Sequence, residues 1–184
     1  LGDGAVYVLF MATNGTAVTI QKISNSTGGL AAHYTLNEGD WFGSSVAPLG
    51  DMNGDGVVDF AVGAAWDGDG SSAAGAFYFI FATTSGTVGD AAKVSMLEGG
   101  FASFYTLDSQ DYFGRSLALV GNSDGTLELV VGAYLDDDGS SEAGAVYTVT
   151  FEMMSPTSLP TATSLPTVTP LPSFWPTALP SLEP

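Results

Sequence analysis

The sequence predicts an all-β protein made of antiparallel repeat units and followed by an extended polyproline II tail. Three observations lead there. Gly4-Ala5-Val6-Tyr7 returns as Gly75-Ala76-Phe77-Tyr78 and again as Gly144-Ala145-Val146-Tyr147, and Phe42-Gly43 returns as Phe113-Gly114, at intervals of 69 to 71 residues. Between these landmarks lie short β-branched and aromatic runs, with no helical period bounded by caps. After Met154 the composition changes abruptly, and eight of the nine prolines fall in residues 155–184. Two domains follow: a β domain over 1–154 and a Pro/Ser/Thr-rich tail over 155–184.

Nine strands are expected. Ala5–Phe10, Ala76–Ala82 and Ala145–Phe151 are the β-branched and aromatic runs that strands prefer. Val18–Ile23 and Lys93–Leu97 alternate apolar and polar residues and read as outer strands. Phe42–Leu49 with Asp59–Ala65, and Ser116–Val120 with Leu127–Ala133, form two further pairs, each around an acidic loop. Ala31–Leu36 and Ala102–Leu107 read as short turns or helical pieces.

The loop between Phe42–Leu49 and Asp59–Ala65 is Asp51-Met52-Asn53-Gly54-Asp55-Gly56-Val57-Val58-Asp59. Oxygen side chains fall at loop positions 1, 3, 5 and 9 with glycine at 6, and position 7 can offer the Val57 carbonyl. That spacing suits Ca²⁺, which takes six or more oxygen ligands, while the glycine permits the sharp turn. The candidate ligands are Asp51, Asn53, Asp55, Val57 and Asp59. It is not an EF-hand, because position 12 is Val62 inside a strand-like run. The plainer reading is a polar hairpin turn.

Phe42-Gly43, this loop, Val62-Gly63-Ala64 and Gly75-Ala76-Phe77-Tyr78 together resemble the FG-GAP repeats of the integrin α-subunit β-propeller. The resemblance covers roughly residues 1–152. It implies antiparallel, propeller-like blades of four strands: two FG-GAP-type repeats plus a half blade, with the calcium loop joining the first two strands of a blade.

The second acidic loop is two residues shorter. Asn122, Asp124, Thr126 and Glu128 form a weaker metal candidate, with the first-position aspartate lost. Asp67-Gly68-Asp69-Gly70-Ser71 and Asp136-Asp137-Asp138-Gly139-Ser140 read as solvated hairpin connections, with a subsidiary cation site as the alternative.

Three Lys or Arg against twenty Asp or Glu give a formal charge of −17. That excludes a basic footprint for nucleic acid and attraction to an anionic membrane. There are no cysteines, so thiol chemistry and disulfides are excluded, and no apolar run is long enough for a membrane span. The start at Leu1 rather than at a methionine reads as a mature or truncated form. His33 is the only histidine, and no nucleophile elbow or phosphate-binding helix start is present. The acids sit in Gly-rich loops rather than in apolar pockets, so no catalytic residues and no enzyme activity are expected.

The tail resembles the Ser/Thr/Pro-rich stalks of mucins and of algal and plant hydroxyproline-rich glycoproteins, which implies dense O-linked sugar. Its candidate attachment sites are Thr157, Thr161, Thr163, Thr167, Thr169 and Thr177, with Pro156, Pro160, Pro166 and Pro170 in the hydroxyproline case. Leu159, Leu165, Leu171, Phe174, Trp175 and Leu179 give it the means to dock. Two sequons, at Asn14 and Asn25, add candidate N-glycosylation sites and favour an extracellular setting.

A closed propeller needs about four to eight blades. This chain supplies fewer, begins with a half blade and shows no outer strand after Phe151. Unpaired edges invite another chain. The expectation is a secreted, calcium-stabilised, glycosylated structural subunit that associates head to tail, through strand edges and tail docking, into a fibre or sheath. The alternative is an integrin-like adhesion or ligand-binding module, possible as a fragment of a larger propeller.

Overall fold

The computed structural model describes residues 2–121, 126–152 and 167–170. Its strands are β1 (Val6–Met11), β2 (Ala17–Ile23), β3 (Phe42–Gly50), β4 (Asp59–Ala64), β5 (Ala76–Ala82), β6 (Val88–Ser95), β7 (Ser116–Gly121), β8 (Thr126–Ala133), β9 (Ala145–Glu152) and β10 (Thr167–Pro170). They form three antiparallel sheets: β1-β2, β3-β4-β5-β6 and β10-β9-β8-β7. One-turn 3₁₀ segments at Leu30–Ala32 and Phe101–Ser103 stand where short turns or helical pieces were expected.

The fold is all-β, as expected, with two corrections. The outer strand of the second sheet begins at Val88 rather than Lys93. The third sheet does not lack a fourth strand: Thr167–Pro170 pairs antiparallel with β9, Thr167 opposite Thr150 and Pro170 opposite Tyr147. An uninterrupted polyproline II tail is therefore corrected at these four residues. Proline removes a backbone donor, and β10 lies at the edge of its sheet, where that loss is tolerated.

The core explains why β5 is apolar throughout. Its alternate residues enter two clusters. Tyr78 and Ile80 pack with Ile23, Phe42 and Val62, between the first and second sheets. Phe77 and Phe79 pack with Leu129, Val131 and Val149, between the second and third. A strand buried on both faces needs no polar alternation. Rings tighten the second interface: Phe113 lies 4.9 Å from Phe101 and 5.7 Å from Phe77, centroid to centroid, and Phe79 lies 5.5 Å from Phe151. Each such ring contributes roughly 1.5–3 kcal/mol through burial.

The repeated glycines mark where the sheets touch. Gly4 forms an isolated parallel bridge with Phe42, and Gly75 forms the same bridge with Phe113. Gly75 has φ +94°, and a Cβ there would fall under 3.0 Å from the Phe113 backbone. Only glycine fits both the left-handed backbone and the close approach. The residues preceding Phe-Gly are bulky yet also left-handed, Trp41 at φ 58° and Tyr112 at φ 56°. Their rings join Trp66 and Tyr134 in a column, Trp41–Trp66–Tyr112–Tyr134, with successive centroids 5.0, 5.2 and 5.2 Å apart. Bridge and column together hold a backbone that is costly for non-glycine residues.

Candidate functional site

The acidic loop Asp51–Asp59 links β3 to β4. Its side chains are wrapped onto its own backbone. Asp51 accepts N–H bonds from Gly54 (2.7 Å), Asp55 (3.0 Å) and Gly56 (2.8 Å). Asn53 Oδ1 accepts from Asp55 N–H, Asn53 Nδ2 donates to Asp55 Oδ2 at 3.1 Å, and Asp55 Oδ1 accepts from Val57 N–H at 2.8 Å. These are the local side-chain to backbone bonds that Asp and Asn make in turns. Asp51, Asn53 and Asp55 thus share one exposed loop.

Asp59 behaves differently. It is fully buried, and its two oxygens accept from Met52 N–H and Ala82 N–H, both at 2.9 Å. It fastens the loop to the end of β5. Burial raises its pKa, the two amide bonds oppose that, and the charges of Asp55 and Asp51 add to the rise. The loop therefore offers hard oxygen donors of the kind Ca²⁺ takes. With the side chains turned to backbone amides, no three acidic, His or Cys groups among the described residues converge to hold a metal ion.

In the second acidic loop, Asn122 and Asp124 lie outside the described residues. Thr126 opens β8, and Glu128 pairs across the sheet with Val120 and Thr150.

The connection Asp67–Ser71 is not a solvated turn. Asp67 is fully buried and Lys93 nearly so. Lys93 Nζ lies 2.7 Å from Asp67 and 2.6 Å from Asp69, and 5.4 Å from the Tyr78 ring centroid. Tyr78 donates its hydroxyl to Asp67 at 3.1 Å, and Ser95 donates to Asp69 at 3.1 Å. Burial would lower the Lys93 pKa, but its bonds to Asp67 and Asp69 carry the net shift upward. Burial, then the neighbouring carboxylates, push the Tyr78 hydroxyl far up. One repeat later Tyr147 donates to Asp136 in the same way. The sequence reasoning missed this cluster. A lysine 71 residues after Lys22, in a chain with so few cations, was the available signal.

Asp40 lies beside this cluster, buried, and accepts from Asn37 N–H at 2.7 Å. Burial pushes its pKa up to about 6, against the Asn37 amide bond, and the Asp67 charge adds to the rise. A folded-state pKa above the unfolded value means stability that is full below about pH 4 and lost as pH rises through about 6. Asp40→Asn keeps the amide acceptor. It is expected to flatten that slope and to raise stability at pH 7.5 by roughly 2 kcal/mol, read by urea denaturation at pH 4 and 7.5.

His33 sits 3.4 Å from Asp90, with no nucleophile in that pair. Asn14 is exposed in the β1–β2 turn and bonded to Thr16 of its own sequon. Asn25 is half-buried, and its Nδ2 donates to Leu36 O (3.0 Å) and Asp3 (3.3 Å) while Oδ1 accepts from Leu36 N–H. Thr167, Thr169 and Pro170 fall in β10; the other candidate tail sites, Thr157, Thr161, Thr163, Thr177, Pro156, Pro160 and Pro166, lie outside the described residues.

Residues 107–150, from the connection before β7 through most of β9, match the family model of the FG-GAP repeat. This segment is similar to an FG-GAP repeat. Its Phe113-Gly114 lies just before β7 and its Val131-Gly132-Ala133 closes β8; one repeat interval earlier Phe42-Gly43 opens β3 and Val62-Gly63-Ala64 closes β4. No curated protein matches the chain. Among the described residues no helix is long and apolar enough to cross a membrane.

Proposed function

We propose that the chain is a structural subunit of a secreted, calcium-stabilised, glycosylated assembly, a fibre or sheath built by head-to-tail association of propeller-like FG-GAP blades. One observation carries the reading. Among the described residues the first sheet has two strands where the others have four, and they leave its outward face bare: Tyr7, Leu9, Met11, Val18 and Ile20 are each at least half exposed. Their repeat counterparts Tyr78, Ile80, Tyr147 and Val149 are buried against the preceding sheet. A contiguous apolar face of this kind is a site for another protein surface. Calcium would act at Asp51, Asn53, Asp55 and the Val57 carbonyl, with Asp59 behind them, replacing the internal amide bonds and stiffening the β3–β4 loop. No catalytic step belongs to this reading.

The test is electron microscopy of the purified protein, in calcium and then in chelator. Regular filaments or rings that loosen on chelation are the expected result. Dispersed particles in both conditions would overturn it. They would favour the second reading, an integrin-like adhesion or ligand-binding module, which draws support from the exposed aromatic residues Trp41, Trp66 and Tyr134 along one edge.

Passage through a eukaryotic secretory pathway is expected to glycosylate Asn14 and to leave Asn25 bare, since a glycan on Asn25 Nδ2 takes one of its two hydrogens and must displace at least one of its bonds to Leu36 and Asp3. Glycopeptide mass spectrometry reads the two occupancies, and equal occupancy would contradict the expectation.

A further inference from the structure

Beside β1 runs an apolar groove of about 420 Å³, walled by Val6, Val8 and Phe10 and floored by Val46, Pro48 and Phe60 of the second sheet. Among the described residues β1 pairs with β2 on one side only. On the corresponding edges of β5 and β9 stand β4 and β8, both antiparallel. The groove thus has the position of a missing strand, with an open row of backbone donors and acceptors along one wall and apolar side chains beneath.

The tail has the chemistry to fill it. All eight tail prolines stand at even positions: 156, 160, 166, 170, 172, 176, 180 and 184. Successive N–H groups of a strand point to opposite edges, so in an extended conformation every missing donor falls on one edge. The odd residues keep a complete row of N–H and C=O groups on the other. The tail is thus suited to pair as a strand on one side only, and β10 is an edge strand, as this requires. Odd positions also carry Leu171, Trp175 and Leu179. Glu183 is the single charged residue after Ser155, so this is the part of a strongly anionic chain that approaches another copy without charge repulsion. Residues 171–184 continue from the outer edge of the third sheet and span roughly 46 Å when extended.

We propose that Leu171–Pro184 of one copy adds as an antiparallel strand to the free edge of β1 in a second copy and fills the Val46–Pro48–Phe60 groove. This rests on the head-to-tail reading and names its contact as β-augmentation.

The full chain is examined in calcium by light scattering, beside a variant ending at Pro170 and two proline variants. Ser173→Pro removes a donor from the pairing edge; Ala178→Pro adds a proline on the outer edge. The truncated chain is expected to be monomeric, Ser173→Pro to associate at least tenfold more weakly, and Ala178→Pro to match the parent. The chain has no cysteine, so mixing Val46→Cys and Trp175→Cys proteins is expected to give a disulfide-linked dimer containing one of each. Assemblies that persist in the truncated chain, or equal loss in the two proline variants, would overturn the groove assignment while leaving head-to-tail association standing. A parent chain that stays monomeric would remove both.

Discussion

Lys93→Ala is expected to destabilise the protein by about 3–5 kcal/mol, because it leaves two carboxylates facing each other without a cation. Asp67 is fully buried, and the Lys93 ammonium lies within 2.7 Å of it and 2.6 Å of Asp69. Their remaining donors, the Tyr78 and Ser95 hydroxyls and the Asp69 N–H, do not cancel two negative charges. The penalty belongs to the uncompensated charge rather than to the pair as such. The triple variant Lys93→Met, Asp67→Asn, Asp69→Asn is therefore expected to recover most of the loss. Urea denaturation of the three proteins checks both statements. A single variant as stable as the parent would mean that the carboxylates reach water or take up protons at little cost.

The second large effect is steric and tells two equivalent glycines apart. A Cβ on Gly63 would fall under 3.0 Å from both the Gly114 carbonyl and Ser45 Oγ. The first is backbone of the FG-GAP segment, held at that point by the Ser45 hydroxyl, which donates to Gly114 O at 2.7 Å. The Ser45 hydroxyl can rotate away at the cost of that bond, but the Gly114 carbonyl cannot withdraw without parting the second and third sheets. Gly63→Ala is expected to cost about 3 kcal/mol or more. Gly132 holds the same place one unit later, but a Cβ there crowds only the Ser116 hydroxyl, a side chain able to rotate. Gly132→Ala is expected to cost under about 1 kcal/mol. Thermal denaturation of the two variants separates these outcomes, and equal losses would show that the Gly63–Gly114 approach does not control the docking of the sheets.

Much of the fold was legible because strand burial writes itself into residue type. The run Ala76-Phe77-Tyr78-Phe79-Ile80-Phe81-Ala82 reads as a strand, and its lack of alternation is explained by burial on both faces. The start of β6 was not legible. Val88-Gly89-Asp90 is poor strand material, and its pairing with Phe81 and Ala82 is a tertiary effect that overrides propensity. β10 was hidden for a similar reason, since proline argues against a strand unless the edge it occupies is known. At the candidate calcium loop the spacing identified Asp51, Asn53 and Asp55 as one group. It did not reveal that Asp59 faces inward to Met52 and Ala82, because loop position alone carries no burial. The same limit made Asp67 look like an ordinary turn residue; the lysine that neutralises it lies 26 positions away.

The aromatic column has an optical consequence. Trp41 and Trp66 stand 5.0 Å apart, close enough for their indole transitions to couple, and Tyr112 and Tyr134 extend the series from the second sheet to the third. The remaining tryptophan, Trp175, belongs to the tail. The near-ultraviolet circular dichroism of the β domain should therefore carry an exciton signature that exists only while these rings stay stacked. With Trp175→Phe the other two indoles become a private gauge of the join between the sheets, readable in the intact chain without any label.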